Sequence, residues 1–257
     1  MTAEIQSISN GSAITAAVVS GAVDVGFANV LSLASAHQRG VPITLIAPAS
    51  IYTTQAPTSV LMVPNDSHAR AAHDLDGKTI AVNGLKNITQ LAPEAWLDTH
   101  GGDSKTVRFV EMPFPDMPLA LTSHRVDAAL VAEPVLTEAR GPARVFAKAY
   151  DGIAPVFLIG AWFTSVAWAK QHPDLVRRFD DAMRATSQWA NAPAHHERSA
   201  DVLSRSTKLP PELVRRITRA KYAERLDPHF MQSTIDAAAK YAILSSSFPA
   251  TELVFAP

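Results

Sequence analysis

The chain has 257 residues, 47% hydrophobic and 18% charged, with a formal net charge of −1. That length supports one large domain or two medium ones with real cores, and the balanced charge gives no basic surface for nucleic acid. There is no cysteine, which excludes a disulfide framework, a thiolate zinc site and a Cys nucleophile; no apolar run approaches the ~18–20 residues of a membrane-spanning helix.

In chain order, "AEIQSIS" reads as a strand that begins at once rather than as a signal peptide. "NGSAITAAVVSG" reads as turn and helix, and "VDVGFANV" as strand. "LSLASAHQRG" is a helix closed by Gly40, and "VPITLIAPAS" a strand. Strands alternating with short helices predict a parallel sheet built from βαβ units. The pattern starts afresh after about Thr58: strand "SVLMVP", strand "TIAV", then helix "NITQLAPEAWLDTHGG", whose first turns Pro93 weakens. Strand "TVRFVEMP", short helix "PDMPLALTSH" and strand "VDAALVAEP" follow. The last third is helical: Val176, Phe179, Met183 and Ala190 fall near one face, as do Met231, Ile235, Ala238 and Ala242, and Pro173, Pro210 and Pro211 stand at helix starts.

An internal echo stands out. "AVVSGAVDVGFA" (Ala17–Ala28) aligns without gaps with "ALTSHRVDAALV" (Ala120–Val131), each a helix end, a turn and a strand opened by Val-Asp. "SNGSAIT" and "VNGLKNIT" echo one another as strand, Asn-Gly and helix start. Two similar α/β lobes are expected, with a ligand in the cleft at the carboxyl ends of their strands.

Catalytic motifs are sparse. There is no GxGxxG, "DGKT" (Asp76–Thr79) reads as a turn into a strand, and neither GxSxG nor HExxH occurs. "HHE" (His195–Glu197) reads as a solvated connector, so no metal and no catalytic residue is assigned. Asp127 and Glu133 stand at opposite ends of one strand, at least ~18 Å apart by strand rise, too far for a shared carboxylate chemistry. Asp24 and Asp127 read as turn caps. Glu133, held before Pro134, is aimed at the cleft, as a ligand or cleft-lining residue or else as a surface residue or a bridge between lobes. Asn29 is its counterpart at a strand end in the first lobe. Lys86 and Asn87 at one helix start and Ser12 at another read as N-caps or as donors to a polar or anionic group. Tyr52, Phe114 and Trp162 lie at element ends and read as core or as cleft lining.

Taken in order, these motifs resemble the periplasmic substrate-binding proteins of ABC transporters, in the branch for nitrate, sulfonate, taurine and pyrimidine thiamine precursors. The resemblance is carried by "SGAVDVGFANV", "RGVPITLIAPAS", "DLDGKTIAVNG", "ALTSHRVDAALVAEP", "AWFTSVAWAKQHPDLVRRFDDAM" and "LPPEL", and spans nearly the whole chain. His124 stands where a Gly is usual. The resemblance implies a two-lobed, type II α/β fold, each lobe a mixed sheet flanked by helices. Lobe one would be residues 1–57 plus 168–257 and lobe two 58–167, with crossovers near 58 and 157–168. Family members open with a further strand and helix, so the first lobe is expected to lack its N-terminal strand, as in a truncated or mis-started chain. It implies a periplasmic monomer without cofactor that closes on a small organic ligand, either aromatic or heterocyclic or a sulfonate or carboxylate anion, and is read by an ABC permease in the inner membrane. The expected ligand-binding residues are Ser12, Asn29, Tyr52, Lys86, Asn87, Phe114, Glu133 and Trp162. The alternative is an enzyme of thiamine-pyrimidine biosynthesis on the same fold, against which the absence of cysteine counts; a regulator's effector domain is disfavoured because no helix-turn-helix is found.

Overall fold

A computed structural model of the chain describes residues 4–6, 8 and 11–255, and of Ser12 the backbone alone. The strand expected at "AEIQSIS" falls partly outside the described residues; residues 4–6 and 8 have no regular structure. The first elements are α1 (Gly11–Val19), β1 (Gly26–Asn29), α2 (Val30–Gln38), β2 (Ile43–Pro48) and β3 (Ser50–Thr53). Then come β4 (Ser59–Pro64), β5 (Thr79–Val82), α3 (Ile88–Thr99), β6 (Arg108–Glu111), α4 (Met117–Thr122), β7 (Ala128–Ala132), α5 (Val135–Ala139) and β8 (Ala143–Ala147). The chain returns through β9 (Val156–Leu158) and β10 (Gly160–Ser165). It ends in α6 (Val166–Gln171), α7 (Pro173–Asn191), α8 (His196–Thr207), α9 (Pro211–Arg216), β11 (Lys221–Tyr222) and α10 (His229–Lys240).

The strands form three sheets, ordered β1-β10-β2, β11-β3-β9 and β6-β5-β7-β4-β8. In the five-stranded sheet β5 runs parallel to β6 and β7, and β4 antiparallel to β7 and β8. Its central strands are apolar throughout because both faces are covered. Leu61, Val63, Ile80 and Leu130 face a core that includes Leu91 and Leu97 of α3, while Val60, Met62, Ala81 and Val131 face Met117, Leu121 and Leu136. The first of these cores continues through Tyr52, Tyr150 and Phe157 to Leu31 of α2 and Ile235 of α10, so one apolar body ties the two parts of the molecule together. The sequence reading ends the second lobe at 167, with a crossover at 157–168; within that stretch β10 pairs with β1 and β2, lying between them antiparallel to both.

The internal echo is a shared turn. After α1, Gly21 sits at φ 76°, and after α4, His124 sits at φ 52°. Each is followed by the same hydrogen bonds: Ala22 and Val23 amides to the Ala17 carbonyl at 2.9 and 3.2 Å, and Arg125 and Val126 amides to the Ala120 carbonyl at 2.9 and 3.4 Å. Both helices therefore end in a left-handed cap that returns the chain into a strand. Glycine adopts that conformation without strain, whereas a Cβ there costs about 1–2 kcal/mol. His124 offsets some of this by pairing with Asp66 at 3.2 Å, an exposed contact worth little. His124→Gly is thus expected to raise stability by about 1 kcal/mol, read as the midpoint of urea unfolding; a lower midpoint would show that the His124–Asp66 pair outweighs the strained backbone.

Asp127 pins the start of β7 to β5: its amide donates to the Thr79 carbonyl at 2.9 Å and its Oδ2 accepts from the Thr79 amide at 2.8 Å. That is the turn-and-strand role expected of it, at the end of the sheet away from the carboxyl edge.

Candidate functional site

Because β5, β6 and β7 are parallel, their carboxyl ends share one edge of the five-stranded sheet. The amino end of β4 lies there too, with the Glu133 amide bonded to the Thr58 carbonyl at 2.9 Å. In the first sheet, Asn29 pairs with Gly160 and Pro48 with Ala161, so the carboxyl ends of β1 and β2 meet the start of β10. The Ile159 amide bonds the Ser50 carbonyl at 2.9 Å, which joins this edge to β3.

Most of the expected residues stand on these edges. Asn29 caps α2, its Oδ1 accepting from the Ser32 amide at 2.9 Å while its Nδ2 donates to Ser32 Oγ at 3.0 Å. The start of α1 packs beside it: a Cβ on Gly11 would lie 3.3 Å from Ser32 Cβ and 3.6 Å from Ala28 Cβ. The side chain of Ser12 lies outside the described residues. Asn87 caps α3 by accepting from the Ile88 amide. Lys86 precedes it at φ 53° with its side chain exposed, its amide held by Gln90 Oε1 at 2.8 Å. A cation and a helix N-terminus thus coincide after β5, an arrangement that favours negative charge. Phe114 follows β6, partly buried against the Met117–Leu121 cluster.

Glu133 follows β7 and precedes Pro134 through a cis peptide bond. Its Oε1 accepts from Thr137 Oγ1 at 3.0 Å and from the Thr218 amide at 3.0 Å, and its Oε2 accepts from the Thr137 amide at 3.1 Å. Residue 218 lies between α9 and β11, in the part of the chain that packs with the first sheet, so this carboxylate bridges the two parts. The Thr218 bond is the contact this carboxylate makes beyond its own helix start. Thr218 was missed; it contributes a backbone N–H, for which no side-chain pattern signals.

Two expected residues lie elsewhere. Tyr52 is 1% exposed and packs on Tyr150 and Phe157 at ring separations of 5.3 and 5.2 Å. Its hydroxyl donates to Asp151 Oδ1 at 2.8 Å, and Thr54 Oγ1 donates to the same oxygen at 2.6 Å. Burial first, and the Asp151 carboxylate second, push the Tyr52 phenol's pKa up. Trp162 sits mid-strand in β10, its ring between Phe27 and Phe179 at 5.5 Å from each. Tyr52 is thus a core residue, while Trp162 stays partly exposed and its Nε1 is buried with no hydrogen-bond partner among the described residues. Among the described residues no group of three or more His, Asp or Glu is placed to hold a metal ion, and no helix is long and apolar enough to cross a membrane.

Sheets flanked by helices, with parallel and antiparallel pairs mixed in the five-stranded sheet and antiparallel pairs alone in the other two, where a mixed sheet was expected in each lobe, make up the periplasmic-binding-protein-like fold. The chain matches the NMT1/THI5 like family over residues 2–195 and belongs to that family. Among curated proteins none matches its sequence. Solved structures share its fold. The periplasmic aliphatic sulphonate binding protein SsuA from Escherichia coli superposes with a TM-score of 0.77 at 16% identity, over 95% of this chain and 84% of that one. The alkanesulfonate-binding protein SsuA from Xanthomonas axonopodis pv. citri, bound to MOPS, gives 0.76 at 20% identity, over 96% and 85%. The desulfurization enzyme DSZB gives 0.66 at 18% identity, over 90% and 82%.

Proposed function

We propose that the chain is the solute-binding component of an ABC importer, working as a periplasmic monomer that closes on a small organic anion and presents its closed form to an inner-membrane permease. The observation that carries this reading is the Glu133–Thr218 hydrogen bond, which ties the carboxyl end of β7 to the segment between α9 and β11. In this proposal lobe one is built on the β1-β10-β2 sheet and the C-terminal helices and lobe two on the five-stranded sheet, hinged where β3 leads to β4 and where β9 leads to β10. A ligand touching both lobes stabilises the closed state over the open one. Its chemistry follows from what stands at the edge. With Tyr52 buried in the core, an aromatic sandwich loses one of its rings. Lys86 and the N-terminus of α3 favour a sulfonate or carboxylate; sulfonates are the ligands for which the two SsuA neighbours are named.

Native mass spectrometry of the purified protein, followed by thermal-shift titration with short sulfonates, carboxylates and pyrimidines, tests this. A saturable rise in melting temperature with the anions is expected, with affinity lower in Lys86→Ala by up to about fivefold, since an exposed charge contributes about 0.2–1 kcal/mol. No co-purified molecule and no shift across the panel would sink the proposal. A second reading, an enzyme, has the DSZB neighbour in its favour; release of an inorganic sulfur oxyanion from organosulfur compounds on incubation would establish it in place of the first.

A further inference from the structure

Between α7 and α8 lies a pocket of about 220 Å³ lined wholly by residues 183–222. No residue of the five-stranded sheet contributes, so it is separate from any cleft between the lobes. Its lining combines apolar side chains (Met183, Trp189, Val202 and Leu203, with the Tyr222 ring) with the hydroxyl residues Thr186, Ser187, Ser199 and Ser206, and Arg219 is its only charged lining residue among the described residues. The Arg219 Nη2 donates to Ser199 Oγ at 2.9 Å, while Nη1 is buried with no hydrogen-bond partner among the described residues. Buried donors, charged ones above all, are normally paired. No Asp or Glu lines the pocket to pair with this one, and a second guanidinium, Arg198, stacks over the Trp189 ring at 5.9 Å. A cation without its acceptor beside an apolar slot is the complement of an anionic head on a short alkyl chain. At ~30 Å³ per water the volume equals about seven water molecules, which sets the ligand's size.

We propose that this pocket is a second binding site, for a short-chain organic carboxylate or sulfonate whose head meets Arg219 and whose chain lies against Trp189 and Leu203. Arg219 directly follows Thr218, whose amide holds Glu133, so occupancy bears on the residue next to the lobe contact.

Backbone amide NMR of the ¹⁵N-labelled full chain, titrated with butyrate and with butanesulfonate, tests it, with butanol and butylammonium as controls. Saturable shifts at Ala190, Val202, Arg219 and Tyr222 are expected with the two anions alone. Arg219→Gln should weaken them about tenfold to a hundredfold, the range for a hydrogen bond to a charged group. Val202→Trp, at a position 50% exposed, fills the slot while leaving Arg219 in place, and should abolish them. Equal shifts with butanol would reduce the pocket to an apolar slot. Unaltered binding in Val202→Trp, or anion-induced shifts confined to Leu85–Thr89, would overturn the proposal. Should Arg219→Gln fail to fold, Val202→Trp decides.

Discussion

Glu133→Ala is expected to lower both stability and ligand affinity. The carboxylate serves three donors, the Thr137 amide and hydroxyl and the Thr218 amide, and its removal leaves them without an acceptor. A single hydrogen bond to a charged group contributes about 1.5–3 kcal/mol, and the partial exposure of Glu133 trims this. A loss of about 2–3 kcal/mol in unfolding free energy is therefore expected. The affinity effect is separable. If the Thr218 bond holds the lobes closed with about 1.4 kcal/mol, its loss weakens any ligand that needs the closed state roughly tenfold. Thr137→Val deletes the local hydroxyl donor and leaves the Thr218 bond, so it should cost stability while sparing affinity. Glu133→Gln keeps an acceptor on Oε1 but turns an NH₂ toward the Thr137 amide, and should fall between. Calorimetric titration beside chemical denaturation reads both quantities. A Glu133→Ala protein that is less stable yet binds as tightly as wild type would show that the contact belongs to the fold and has no part in closure.

What could be read from the sequence follows from how local each cause is. The "VD" echo was legible because a left-handed helix cap followed by a strand is written within about ten consecutive residues, and the structure gives Gly21 and His124 the same turn. Strands β4, β5 and β7 were legible because burial on both faces makes them continuous apolar runs. Strand β10 was read as a crossover because its neighbours, β1 and β2, lie more than a hundred residues upstream and leave no local pattern. The site divides in the same way. Asn29, Lys86, Asn87 and Glu133 could be placed because a strand end or a helix start is itself a local feature. Tyr52 and Trp162 stayed open between core and cleft lining, since their partners Tyr150, Phe157 and Phe179 arrive from distant segments, and an aromatic residue near an element end reads alike whether it meets a ligand or the core. Thr218 acts through its backbone, which no residue type marks.

Gly152→Ala is expected to be the most damaging small substitution in the molecule's centre. Gly152 closes the short 3-10 turn Ala149–Gly152 that packs on α3. A Cβ there would lie 2.4 Å from Trp96 N, 2.7 Å from Trp96 Cα and 2.8 Å from Ala95 C. These are backbone atoms inside a helix, and they cannot swing aside as a side-chain tip would. Nor is α3 free to retreat, because its opposite face packs Leu91 and Leu97 into the core and the Trp96 ring rests on Phe146 at 5.7 Å. Overpacking of this kind costs roughly 3 kcal/mol or more, which at about 2–4 °C per kcal/mol for a chain of this size lowers the melting temperature by roughly 6–12 °C. Gly141→Ala is the matched control: a Cβ there meets nothing within 4 Å, so its effect should stay within about 0.5 kcal/mol. The turn also carries Asp151, which receives the hydroxyls of Tyr52 in β3 and of Thr54 just after it. Relief of the clash by moving the turn would pull Asp151 off both donors and leave the buried Tyr52 hydroxyl unpaired, so the two escapes open to the structure are each costly. Equal melting temperatures for the Gly152→Ala and Gly141→Ala proteins would mean that the turn and α3 are not held as closely as these distances require.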